Sequence, residues 1–453
     1  MSRLRRPAPA PPVRAVHLGL GSFFRAHQAW YTDRAASDGD AWGIAAFTGR
    51  RPDLAQALAG QDGLYTLVTR AASGDEFEVV GAVSRAHAAG EHDEWLRLLA
   101  SPDVRVLTTT LTEAGYLRAA SGGLDLTAPA VARDVAALRD DPRASVGSAP
   151  ARIVAGLLAR RAADAGPLTL VPCDNLPDNG AVLARVVDDL AAAVDPTLPD
   201  WIRGQVATAT TMVDRITPAP TDADRATVLA ATGVEDAAPV VTERFTEWVL
   251  AGDFTSGRPA WERAGATLTD DVTPYEQRKL WLLNGGHSLL AYVGSLRGHA
   301  TVAEAVDDGS CRGLLQQWWS VCAPHLTLGG ADAEAYCTAL LERFANPRTR
   351  HALAQIATDG SQKLPVRLLP VLRRERSADR LPDAAVTVLA AWLLHLRGSG
   401  APVRDVRADE LGALAARVDA VPAVLAALGP DLADDAELVG AVRGRCADLL
   451  GRR

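Results

Sequence analysis

An α/β architecture is what this chain predicts: an N-terminal Rossmann-like, doubly wound sheet domain followed by an all-helical C-terminal domain. Three observations predict it. Short apolar runs suited to buried parallel strands alternate with alanine- and leucine-rich helical stretches through the first part of the chain. From about Pro274 onward the strand signals fade and helical periodicity takes over. A length of 453 residues is too great for one typical domain and suits two. The expected divisions are a disordered tail over 1–14, the sheet domain over 15–273 and the helical domain over 274–453.

The tail, MSRLRRPAPAPPVR, is basic and proline-rich and lacks the apolar stretch of a signal peptide. The first strand is Ala15 to Leu18, running into Gly19-Leu20-Gly21 and then a helix from about Phe24. Trp42 to Phe47, Phe77 to Ala82, Val104 to Leu111 and Leu168 to Val171 continue the strand signals. Glu94 to Leu99 and Ala130 to Leu138 are helical stretches between them. In the second domain the helical patterns are Tyr275 to Leu296, Gly313 to Cys322, Ala331 to Phe344, Ala384 to Leu396 and Glu410 to Leu428.

Composition excludes several classes of protein. Hydrophobic content of 48% supports large cores, and a net charge of −8 argues against a general nucleic-acid binder. No run of some twenty apolar residues suggests a membrane span. Five scattered cysteines without CxxC spacing fit a reducing cytoplasm, and no metal centre is expected. Cys322 and His325 resemble half a zinc site without a second pair.

Chemistry concentrates where the chain is compositionally odd. Only two lysines, Lys279 and Lys363, stand against forty-five arginines, and only Asn175, Asn179, Asn284 and Asn346 are asparagines. A desolvated lysine can lose its proton, whereas a guanidinium effectively cannot, so the two lysines are the first candidates for proton transfer. On a regular helix Asn284 and His287 lie roughly 140° and 80° around from Lys279, so one broad face could carry all three. Gly285 and Gly286 cost helix stability and suggest that something approaches that backbone closely; a plain helix break with a core histidine is the alternative.

Gly19 and Gly21 form a strand-to-helix turn that would admit a pyrophosphate, with Phe24 where a third glycine would stand and Arg25 beside it. Such a pair also occurs for packing alone. Asp53 is the carboxylate nearest the end of the second strand, where a ribose 2′-hydroxyl is read, while Arg50 and Arg51 could hold a 2′-phosphate or be solvated loop charges. NAD is expected, with NADP open. Asp174-Asn175 ends a strand at a functional position or forms a plain turn, and Asp214-Arg215 is a site pair or a structural ion pair.

Taken in order, HLGLGSFFRAHQAWYTD, QDGLYTLV, LTEAGYL, CDNLPDNG, MVDRITP, GRPAWE, DDVTPYEQRKLWLLNGGHS and DGSQKLP resemble the mannitol dehydrogenase family, the zinc-independent long-chain polyol dehydrogenases. The resemblance spans nearly the whole chain after the tail. It implies a Rossmann domain and a helical domain with the site between them. It further implies that Lys279 is the general base and that Asn175 and Asn284 polarise the substrate oxygen. Asp214, His287 and Lys363 would support substrate binding or proton transfer. Gln355 departs from the pattern: mannitol 2-dehydrogenases carry a substrate-contacting arginine there, and the stretch Gln355 to Lys363 is closer to the fructuronate reductase branch.

The expected activity is therefore NAD(P)-dependent interconversion of a secondary alcohol and a ketone on an open-chain polyol or sugar acid, without a metal. The leading pairs are D-mannitol/D-fructose and D-mannonate/D-fructuronate. A mannitol 1-phosphate-type dehydrogenase and a non-catalytic dinucleotide or sugar sensor are the alternatives. Monomer and dimer are equally compatible with the sequence.

Overall fold

The computed structural model describes residues 2–37 and 39–451. Met1 of the expected tail, Asp38 of the sheet domain, and Arg452 and Arg453 of the helical domain lie outside the described residues. The chain divides into two compact units, Met1–Thr273 and Pro274–Arg453.

The first unit is organised by a six-stranded parallel sheet. Its strands are β1 (Val13–Leu18), β2 (Gly43–Phe47), β3 (Val83–His87), β4 (Val106–Thr109), β5 (Leu168–Pro172) and β6 (Val206–Thr208), in the spatial order β3-β2-β1-β4-β5-β6. This is the doubly wound order, with the reversal beside β1. Alternate residues serve opposite faces, as a period of two requires. Val16, Leu18, Ala45 and Phe47 join one core cluster, whereas Ala15, Ile44 and Ala46 join the other. Five helices matter for the site: α1 (Ser22–Ala26), α2 (Asp53–Ala59), α3 (His92–Leu99), α4 (Ala149–Ala162) and α5 (Asn179–Val194).

Two expectations fail here. The Phe77 to Ala82 run is not a strand of the main sheet; Gly74–Val80 pairs antiparallel with Tyr65–Ala71 in a separate three-stranded sheet. The third strand is instead Val83–His87, an edge strand whose residues are mostly half-exposed, so its sequence carries no apolar run. The tail is also ordered where it is described. Ser2–Arg3 pairs with Val234–Glu235, Leu4 is buried, and Arg6 donates to the carbonyls of Asp62, Gly81 and Val83. Composition flags a basic, proline-rich segment as loose, but it cannot reveal that folded acceptors wait for its arginines.

Among its described residues the second unit has helices and no strand, with one isolated bridge between Thr301 and Ala352. One helix runs as α6 (Thr273–Arg278), a π-helical turn Lys279–Asn284, α7 (Gly285–Leu289) and a second π-helical turn Leu290–Gly294. Around it stand α8 (Gly309–Cys322), α9 (Gly360–Arg367) and α10 (Asp383–Leu396). The expected single helix from Glu410 to Leu428 is two, Ala408–Ala415 and Ala420–Leu428. They are separated by a charged turn in which Arg417 pairs with Asp419 at 2.8 Å. No helix among the described residues is long and apolar enough to cross a membrane.

Candidate active site

In the first unit the candidate residues gather at the carboxyl ends of the strands. Gly19 follows β1 with φ +116°, a region that disfavours any side chain, and a Cβ there would meet the Thr110 carbonyl oxygen at 2.3 Å. At Gly21, the N-cap of α1, the nearest atom to an added Cβ is the Gly19 oxygen at 3.5 Å, so the turn is open on that side. The first glycine thus serves the fold and the second leaves room for a ligand. This cradle fits a dinucleotide pyrophosphate, which needs close backbone approach.

The turn is held by a buried histidine that the motif does not advertise. His17 is wholly buried, with Nδ1 2.7 Å from Thr108 Oγ1 and Nε2 3.1 Å from Thr110 Oγ1. Thr110 donates its own proton to the Gly19 carbonyl at 2.8 Å, which leaves Nε2 as the histidine donor. Burial pulls the His17 pKa down to about 3, so the ring is neutral.

Phe24 and Arg25, expected beside the cofactor, turn into the core instead. Phe24 stacks on His17 with ring centroids 3.6 Å apart and has no exposed surface. Arg25 donates to the carbonyls of Gly21 and Ala238 and lies over the Tyr65 ring at 5.4 Å. Sequence adjacency to the glycine turn suggested a place at the ligand; both side chains are instead buried. Asp53 opens α2 as an exposed residue, 3.7 Å from Arg51.

Asn175 lies exposed in the bend after β5. Its neighbour Asp174 is buried and accepts from Thr109 Oγ1 at 3.0 Å, from the Leu111 amide and from the Tyr116 hydroxyl. Burial raises the Asp174 pKa to about 6 against the pull of those three donors. Asn179 is also buried: its Nδ2 donates to the carbonyls of Asp174 and Thr211, and its Oδ1 accepts from the Thr211 amide at 2.9 Å. Asp174 and Asn179 thereby fix the bend that carries Asn175. Asn179, another of the four asparagines, has a structural role. Asp214 ends the strand Thr210–Asp214 and is buried. Arg215 is spent on the carbonyls of Ala26 and Glu243.

In the second unit Lys279 and Asn284 are the first and last residues of the π-helical turn, both half-buried. The regular-helix estimate of their separation does not hold. A π-turn closes from i to i+5, so residues five apart approach the same face. His287 follows on α7, stacked on Phe344 at 4.6 Å and edge-on to His351 at 4.9 Å. Burial, then the nearby Arg343 charge, lowers the His351 pKa.

The two glycines do accommodate a close approach, but by protein. A Cβ on Gly285 would stand 2.7 Å from Trp318 Nε1, and one on Gly286 would stand 2.8 Å from Leu315 Cδ1. The Trp318 and Trp319 indoles donate to the carbonyls of Trp281 and Leu282 at 2.8 and 2.9 Å. These bonds tie α8 to carbonyls within the π-turn. Arg367, on α9, donates to the Asn284 carbonyl at 3.4 Å.

Lys363 lies on α9, which packs along the π-turn and α7. Its Nζ donates to the Ile356 carbonyl and to Thr358 Oγ1, both at 3.1 Å. Gln355 precedes Ile356 and is exposed. Among the described residues, His299, Asp308 and Cys311 alone bring three ligand-type side chains within 4.8 Å of one another. Arg297 already pairs with the Asp308 carboxylate at 2.6 Å. Cys322 is buried, and His325 bonds Glu375.

The mannitol dehydrogenase Rossmann domain matches residues 13–263, and the mannitol dehydrogenase C-terminal domain matches residues 271–450. D-mannonate oxidoreductase of Escherichia coli (strain K12) is 37% identical over 97% of this chain and 93% of its own length. The uncharacterized oxidoreductase YdfI of the same organism is 38% identical over 96% of this chain and 93% of its own. Among solved structures, Pseudomonas fluorescens mannitol 2-dehydrogenase, in ternary complex with NAD and D-mannitol, is 34% identical. It covers 100% of this chain and 92% of its own with a TM-score of 0.81.

Proposed function

Because this chain belongs to the mannitol dehydrogenase family, we propose that it is a nicotinamide-dependent dehydrogenase of open-chain polyols or sugar acids with Lys279 as general base. The observation that carries the reading is the π-turn, which brings a lysine and an amide five residues apart towards one face. Gly19 and Gly21 would hold the dinucleotide at the end of β1, and the group would supply the acceptor for the hydride that leaves the alcohol carbon.

The protein's own groups handle the remaining charge. The Lys279 amine accepts the hydroxyl proton, which a general base must do as hydride leaves. The Asn175 and Asn284 amides donate to the oxygen as it becomes a carbonyl, and donors of this kind act most strongly where water is excluded. Asp214, His287 and Lys363 orient substrate hydroxyls or relay the proton. Donation to the Ile356 carbonyl and Thr358 holds the Lys363 ammonium near Gln355, where it can meet a substrate hydroxyl or carboxylate.

Gln355 in place of the mannitol-type arginine favours the D-mannonate/D-fructuronate pair. The similarity to the D-mannonate oxidoreductase over nearly the whole chain supports the same choice. D-Mannitol/D-fructose is the second reading, supported by the solved mannitol 2-dehydrogenase. A panel of polyols, aldonates, ketoses and mannitol 1-phosphate, assayed by NADH and NADPH absorbance, tests the proposal. Turnover of D-mannonate or D-fructuronate above D-mannitol is expected, unchanged by EDTA. Dinucleotide binding without turnover of any substrate would turn the reading towards a sensor.

A further inference from the structure

Four arginines of the first unit are deeply buried, and three of them are satisfied in the same way. Arg160 donates to the carbonyls of Leu99, Ser101, Ala165, Gly166 and Pro167. Arg25 and Arg215 likewise donate to backbone carbonyls. Arg152 is the exception. Only 3% of it is exposed, yet among the described residues its guanidinium makes one hydrogen bond, from Nη1 to the Thr48 carbonyl at 3.3 Å. Its Nε and Nη2 are buried without a partner. The guanidinium lies over the rings of Trp95 at 5.0 Å and Phe47 at 5.7 Å, which gives partial compensation. Burial alone lowers its pKa, to about 10, so it remains a cation at neutral pH.

The location gives this charge meaning. Arg152 stands in the first turns of α4, whose N-cap is Ser148, so the positive end of that helix adds to its field. Thr48 directly follows β2, where a doubly wound sheet reads the adenosine ribose of a dinucleotide. Neither carboxylate near that strand end pairs with Arg152 among the described residues. Asp53, the nearest along the chain, lies beside Arg51, and Glu91 accepts from the Ala88 amide and bonds His87. Arg50 is exposed. His92 Nε2 is a further buried atom without a partner, and burial, followed by the Arg152 charge, lowers the His92 pKa. The strand end is thus left with one buried cation below it that no carboxylate among the described residues neutralises.

We propose that Arg152 determines selectivity at the cofactor's adenosine end, its charge, paired with no carboxylate among the described residues and lying beneath Thr48, favouring a 2′-phosphate, so that the chain accepts NADP as well as NAD. This rests on the reading of the first unit as a nicotinamide dinucleotide site. Arg50 meets the phosphate from the solvent side. Arg152 acts from below, through the Thr48 backbone and the low-dielectric core, as a positioning residue.

The test is calorimetric titration of the full chain with NAD, NADP and the fragments 2′-AMP and 5′-AMP, independent of turnover. Wild type should bind NADP within about tenfold of NAD, the span of roughly one pK unit of interaction. Arg152→Met keeps an aliphatic stem between the two rings; it should weaken NADP and 2′-AMP about tenfold or more while NAD and 5′-AMP change less than about threefold. Arg152→Lys should preserve the NADP-to-NAD ratio. Equal weakening of both dinucleotides by Arg152→Met would mark the arginine as a prop for the loop and overturn the proposal. So would an unchanged ratio, or a wild type that binds NAD and rejects NADP. If Arg152→Met does not fold, Arg152→Gln carries the same comparison. A wild type that binds neither dinucleotide would instead defeat the functional reading itself.

Discussion

The two units hold their candidate groups by opposite means. In the sheet unit the candidates stand on bends after strands, and each bend is tied by buried side chains: His17 and Thr110 at Gly19, Asp174 and Asn179 at Asn175. In the helical unit Lys279 and Asn284 share one helix, and precision comes from a change of helical register locked by two indoles and an arginine. A loop supplies exposure and must be made rigid. A helix supplies rigidity and must be deformed to bring the right residues together.

Substitution of the proposed base, Lys279, is the strongest way to separate the two units. Lys279→Ala should lower kcat by about 10²–10⁴-fold, the usual worth of a positioned base, while fluorescence titration shows NADH binding retained. Lys279→Arg should be nearly as slow, and an active arginine variant would end the proton-acceptor reading. Next in size are Asn175→Ala and Asn284→Ala, each expected to reduce kcat about 10²-fold or more with smaller changes in KM. If only one of them matters, oxygen polarisation belongs to one unit and the symmetry between the halves fails.

Glycine substitutions sharpen the contrast. Gly285→Ala forces a Cβ against Trp318 and should cost about 1–3 kcal/mol, read as a lower Tm and denaturant midpoint. Gly21→Ala meets nothing nearer than the Gly19 oxygen, at an ordinary contact distance of 3.5 Å, and should leave Tm almost unchanged while weakening NAD binding. A Tm loss at Gly21 as large as that at Gly285 would mean the turn is packed by protein after all.

The smallest expected effect is the pH dependence of the sheet-end network. The folded Asp174 pKa is about 6, above its unfolded value near 3.8, so the folded state binds more protons between those values. Its contribution to stability should therefore fall as pH rises from about 4 to 6, by on the order of 1–3 kcal/mol, and Asp174→Asn should lack that slope. His17 acts oppositely: its folded pKa is depressed to about 3, so its contribution is lost as pH falls below about 6.5. Denaturation of wild type, Asp174→Asn and His17→Gln from pH 4 to 8 would separate the two trends.

Much of the sheet was legible because β1, β2, β4 and β5 are buried on both faces and read as apolar runs. β3 escaped because an edge strand tolerates Ser84, Arg85 and His87, and the Gly74–Val80 hairpin strand imitated it with its own apolar run. The glycine turn and the lysine–asparagine motif were visible as local spacing. The π-turn was not: it shifts the register without altering the apolar pattern, and its clamps, Trp318 and Trp319, lie far along the chain. Phe24 and Arg25 were misplaced for a related reason, since neighbours in sequence need not face the same ligand. Arg152 gave no signal among forty-five arginines; only its unpartnered nitrogens in the folded unit distinguish it.

Both lysine side chains lie half-buried on the helical unit, one at the start of the π-turn and one on α9. With no other lysine in the chain, an amine-selective reagent has just these two side-chain targets. Acylation or reductive methylation followed by peptide mass mapping would thus act as a near site-specific label. The reactivity of each amine, with and without dinucleotide or sugar present, would test whether either lysine meets a ligand, in a molecule whose forty-five guanidinium groups are silent to the reagent.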